Sequence, residues 1–98
     1  MRYWQLTKVN DMQFRTVISF APFVNDKPLD IQLEPEAIIY TVGPGEELSF
    51  VGISNEDNFK WVVRVSDGGI QLFPDAPSNR YEGIEILKNG TRIPNQAV

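Results

Sequence analysis

The 98-residue sequence contains no cysteine and no histidine. Without cysteine there is no disulfide to staple the fold, no thiolate nucleophile and no sulfur ligand for zinc, copper or an iron–sulfur cluster. Without histidine, no side chain titrates unaided near neutrality. A serine nucleophile would lack the imidazole base that a triad uses. Long apolar runs are missing too. No stretch approaches the roughly 18 consecutive apolar residues of a membrane span. The opening residues MRYWQLTK lack the apolar run of a signal peptide. The expectation is cytoplasmic synthesis without a leader, and no membrane partner. Clustered positive charge is also absent. Arg2, Lys8, Arg15, Lys60, Arg64, Arg80, Lys88 and Arg92 are scattered singly. Nucleic-acid binding by counterion release needs such clusters, so no nucleic-acid partner is expected.

What is present describes an ordinary globular chain. Hydrophobic residues make up 42% and charged residues 22% of it, which argues against disorder over most of its length. Eleven per cent is aromatic, enough for a packed core at roughly 150–250 Å² buried per ring. The formal charge is −4 at pH 7. The acidic excess lies between Asp26 and Glu47, where Asp26, Asp30, Glu34, Glu36, Glu46 and Glu47 face only Lys27. The length suits one domain over residues 1–98, since a second core would be too small to stand alone.

Periodicity is of the strand kind. No window carries apolar residues at i, i+3, i+4 and i+7 between helix start and stop signals. Alternation at period two recurs instead. Phe59, Trp61, Val63 and Val65 share one face of residues 59–65, with Lys60, Val62 and Arg64 on the other. Residues 29–33 and 70–72 alternate as cleanly, the latter continuing into Phe73. Further strands are expected at 3–9, 13–20, 37–42, 47–53, 81–87 and 91–93, from their β-branched and aromatic content. Turn residues separate them. Asn89-Gly90 is the preferred pair for a type I′ hairpin, because both positions accept positive φ. That register sets Lys88 opposite Thr91 and Ile86 opposite Ile93, so turn chemistry and core pattern agree. Asp67-Gly68-Gly69 is expected to join its flanking strands as a hairpin, and Gly43-Pro44-Gly45 to make another. The segment 74–79 is expected to be an exposed loop. Eight or nine short strands at roughly ten-residue spacing imply an all-β fold: an antiparallel β-sandwich, Ig-like or jelly-roll-like, or a small barrel.

Candidate chemistry is sparse. No Ser-x-x-Lys spacing offers a lysine base, and Lys60 and Lys88 read as solvated. The acidic neighbours Glu34 and Glu36, and Glu46 and Glu47, read as polar residues at strand entrances rather than as a glycosidase pair. Asn55-Glu56-Asp57-Asn58 is rich in oxygen ligands but lacks the spacing of an EF-hand, and reads as a hairpin tip. Asn89-Gly90-Thr91 matches a glycosylation sequon, yet its fit to a tight turn gives it a structural reading. The glycines show no phosphate-loop or dinucleotide spacing. No catalytic, cofactor-binding or metal-ligating residue is therefore assigned.

Aromatic residues that break the core pattern are the remaining signal. Adjacent Tyr3 and Trp4 must point to opposite faces. Phe23 follows a proline in the run from Phe20 to Val24. Phe73 is out of phase with Ile70 and Leu72, and Tyr81 stands at a strand start. These five are the candidate partner contacts. A small β-sandwich without a catalytic constellation resembles, in type rather than by motif, the decoration and accessory proteins of tailed-phage virions. That resemblance implies a non-enzymatic assembly protein that docks through protein–protein contacts, as a homo-oligomer or as part of a larger particle. Two other functions fit the residues: an acidic inhibitor or immunity-type protein that occludes a partner, and a glycan-binding module built on exposed rings.

Overall fold

A computed structural model describes residues 13–94. Eight strands run in the order β1 (Phe14–Phe20), β2 (Leu29–Leu33), β3 (Ile38–Val42), β4 (Leu48–Ser54), β5 (Lys60–Ser66), β6 (Gly69–Asp75), β7 (Gly83–Lys88) and β8 (Thr91–Ile93). A short 3-10 turn, Pro77–Asn79, lies between β6 and β7. Among the described residues there is no α-helix, and no helix is long and apolar enough to cross a membrane. The expected strand at residues 3–9, with Tyr3 and Trp4, lies outside the described residues.

The strands form two four-stranded sheets, ordered β1-β4-β7-β8 and β3-β2-β6-β5. The fold is all-β and sandwich-like. One pair departs from the expected antiparallel pattern. β2 and β6 run parallel, with Ile31 beside Ile70 and Leu33 beside Leu72. A parallel pair needs a long crossover. Here the crossover is supplied by β3, β4 and β5, which visit both sheets before β6 returns.

Alternation places one face of each sheet inward. Ile31 and Leu33 from β2, Tyr40 and Val42 from β3, Leu48 and Phe50 from β4, Leu72 from β6 and Ile86 from β7 form one buried cluster. Ile18, Phe20, Trp61, Ile84 and Ile93 pack against its margins. Each fully buried aliphatic or phenyl group contributes roughly 1.5–3 kcal/mol of transfer free energy. Phe50 stands at the centre of an aromatic row. Its ring makes edge-to-face contacts with Phe20, Tyr40 and Trp61 at centroid distances of 6.1, 5.6 and 6.3 Å. Phe59 extends the row, 5.0 Å from Trp61 and 5.6 Å from Tyr81. The Trp61 indole N–H donates to the Thr16 carbonyl at 2.9 Å, tying β5 to β1 across the layers.

The hairpins at the two tight turns form as the residues require. β7 and β8 pair with Ile86 opposite Ile93 and Lys88 opposite Thr91, and Asn89 and Gly90 both take positive φ, 52° and 85°. β5 and β6 pair across Asp67-Gly68. Three expectations need correction. Gly43-Pro44-Gly45 does not close a hairpin, because β3 and β4 belong to different sheets. The turn crosses between layers, held by the Gly43 N–H on Glu46 Oε1 at 2.8 Å and the Gly45 N–H on the Pro22 carbonyl at 3.2 Å. The Asn55–Asn58 segment is likewise a crossover, from β4 to β5, rather than a hairpin tip. Buried Ser54 organises it by donating to the Glu56 carbonyl and accepting the Glu56 N–H. Segment 74–79 is not a plain exposed loop. Pro74 and Asp75 finish β6, and Ala76 is buried. Pro74 is tolerated there because the β2 ladder along β6 ends at Leu72, so the missing N–H breaks no bond on that side. Finally, Val65 is 76% exposed although it shares a face with Phe59 and Trp61. It lies near the end of β5, an edge strand of its sheet, where the alternation continues without burial.

Candidate docking cleft

Phe73 and Tyr81 come together. Both line a cleft of about 520 Å³ with Glu34, Pro35 and Pro74. The parallel register explains half of it. Leu33 and Leu72 are adjacent and inward. The next residues, Glu34 and Phe73, are therefore neighbours on the opposite, outward face. The Glu34 N–H donates to the Leu72 carbonyl at 2.9 Å, which extends the pairing one step past β2. The chain then turns through the short 3-10 segment and brings Tyr81 back against Phe59. Four of the five lining residues are proline or aromatic, and the cleft lies within the usual size range of ligand sites.

The polar edge of the cleft is ordered. Glu34 Oε2 accepts from Gln32 Nε2 at 2.7 Å and from Gln71 Nε2 at 2.9 Å. Gln71 Oε1 accepts from Arg64 at 3.0 Å. Arg64, Gln71 and Gln32 stand in one cross-strand row, so the amides form a ladder that ends at the carboxylate. Burial raises the Tyr81 phenol above its ordinary value, and the negative charge of Glu36 adds to that shift. Tyr81 therefore stays neutral and a hydrogen-bond donor over the physiological range.

The other candidate contacts lie elsewhere. Phe23 is 80% exposed on the turn between β1 and β2, with Val24 beside it. That turn is pinned by the Phe23 N–H on Asp26 Oδ2 at 2.8 Å. It precedes β2, whereas Glu34 follows β2, so Phe23 and the cleft occupy opposite ends of the sandwich. Tyr3 and Trp4 lie outside the described residues. Trp61 is committed to the interior by its neighbours and its bond to Thr16. Sequence reading missed Glu34, Pro35 and Pro74 as parts of one site. Their shared position depends on the parallel β2–β6 pair, which local periodicity does not announce.

Among the described residues, no group of three acidic side chains is placed to hold a metal ion. In the Asn55–Asn58 segment the Asn58 amide donates to Glu56 Oε1, the Asn55 amide donates to Glu82 Oε2, and Asn55 Oδ1 accepts from the Gln13 amide. The chain matches no protein-family model, no curated protein and no solved structure.

Proposed function

We propose that this chain is a non-enzymatic assembly protein, of the kind that decorates a virion, and that it docks on a protein partner through the Phe73–Tyr81 cleft. The observation that carries the reading is the cleft itself. Two aromatic residues that break the core pattern converge with two prolines and one carboxylate at one end of the sandwich. Rigid aromatic and proline surfaces lose little conformational entropy on binding, which makes them good anchors. The exposed Phe23-Val24 tip offers a second contact at the other end, which suits a small module bridging neighbours in a particle.

The test is sedimentation of the purified chain, alone and with the particle that carries it in its native source. The reading expects co-sedimentation with the particle and its loss in Phe73→Glu. Phe73 is on the outer face, so that variant should remain folded by circular dichroism. A chain that stays monomeric and joins no larger particle would overturn the reading. So would a folded Phe73→Glu variant that docks as well as the wild type. A complex with a basic enzyme, with an association rate falling steeply with salt, would support the inhibitor reading in its place.

A further inference from the structure

The cleft holds a charge that the fold leaves uncompensated. Glu34 Oε2 is taken by Gln32 and Gln71, but Oε1 has no hydrogen-bond partner among the described residues. No lysine or arginine among the described residues forms an ion pair with Glu34 or Glu36. Only Glu85, with Arg15 and Arg92, Glu46, with Lys88, and Asp75, with Lys60, form ion pairs among the described residues; Glu34 differs from the other unpaired acids in that it stands in an aromatic and proline-lined cleft. The two glutamine amides fix the orientation of the Glu34 carboxylate, so little ordering remains to be done when a ligand arrives. The walls on either side are apolar and aromatic.

Resting on the docking reading above, we propose that the cleft receives an arginine side chain of a protein partner, with its guanidinium paired to Glu34 and laid against the rings of Phe73 and Tyr81. An arginine fits each wall. Its planar guanidinium is weakly hydrated and stacks on aromatic faces. Its methylene stem lies along apolar surface, which Pro35 and Pro74 provide. Displacing water from beside the carboxylate strengthens the ion pair. An acidic group would meet Glu34, Glu36 and a molecule of net charge −4. An aliphatic side chain would displace water from the half-buried Glu34 carboxylate and return no opposite charge to it.

The probe is a blocked tripeptide, acetyl-Gly-Arg-Gly-amide, titrated into the full chain and followed by amide and aromatic NMR shifts. Its citrulline counterpart keeps the shape and removes the charge. The expected result is saturable shifts centred on Glu34, Phe73 and Tyr81, with the citrulline peptide weaker by roughly tenfold or more. Glu34→Gln should lose a similar factor. Its amide oxygen can still accept from Gln32 and Gln71, and a dispersed spectrum verifies its fold. Equal binding of the two peptides, no loss in Glu34→Gln, or no shifts at all would overturn the inference. The two readings separate in the particle assay. If Phe73→Glu abolishes docking and Glu34→Gln leaves it intact, docking stands and the arginine does not. If neither variant affects docking, the cleft is not the contact.

Discussion

Replacing Gly52 by alanine puts a single methyl group where the Phe59 ring already sits. Gly52 is buried in β4, and a Cβ built there would come within 3.0 Å of Cζ, Cε1 and Cδ1 of that ring. The ring is buried and rigid, with Trp61 5.0 Å away and Tyr81 5.6 Å away. Overpacking a core usually costs roughly 1–3 kcal/mol. Driving the phenyl group out altogether would approach the roughly 3–5 kcal/mol of deleting it. The expected destabilisation is therefore about 2–4 kcal/mol. For a domain of this size that lowers Tm by roughly 10–30 °C. Urea unfolding with an unchanged m-value is the assay. A second variant isolates the cause. Phe59→Leu should cost less in the Gly52→Ala background than in the wild type, because the smaller side chain makes room for the methyl. A Gly52→Ala protein within about 0.5 kcal/mol of wild type, or strict additivity of the pair, would refute the packing of this row.

Other perturbations probe separate parts of the fold. Gly90→Val should cost about 1–3 kcal/mol, since a β-branched residue resists the positive φ of the type I′ turn, and an unchanged melting curve would contradict that geometry. Trp61→Phe keeps most of the packing but removes the donor to the Thr16 carbonyl. A loss of about 1–3 kcal/mol in urea unfolding is expected. The hydrogen bond and charge of Arg15 hold the Glu85 carboxyl below its ordinary value of 4.5, with help from Arg92. The Gly43 N–H does the same for Glu46, with help from Lys88. Lower folded values mean that these groups stabilise the protein above their unfolded value. That contribution disappears as pH falls below about 4.5 through the folded values. Glu85→Gln should flatten the acid limb of a stability–pH curve, and an unaltered limb would show that the pairing contributes nothing.

The elements were legible because their signals are local. Leu29, Ile31 and Leu33 repeat at period two, and β2 has the expected bounds. Asn89-Gly90 sets both the turn and the Ile86–Ile93 pairing. Assignment of strands to layers was not legible. Gly43-Pro44-Gly45 has the composition of a hairpin turn, yet it carries the chain across the sandwich. What decides is the anchoring of its backbone by Glu46 and by Pro22, which is distant in sequence. The same limit applies to the cleft. Phe73 and Tyr81 stood out as breaks in a pattern, one by phase and one by position. Their partner Glu34 is singled out in the sequence only together with Glu36, as a polar residue at a strand entrance. Its meeting with Phe73 depends on a parallel pairing between segments far apart in the chain.

The interleaving of the two sheets has a consequence for synthesis on the ribosome. β4 sits between β1 and β7, and β2 sits between β3 and β6. A growing polypeptide that has emerged only through β5 holds neither β6 nor β7, so each layer lacks an inner member. Such an intermediate has unfilled edges and a half-covered interior, which are the conditions for capture by holding chaperones. Arrest-peptide force profiles should remain quiet until the β7 segment clears the exit tunnel and should then rise in a single late step.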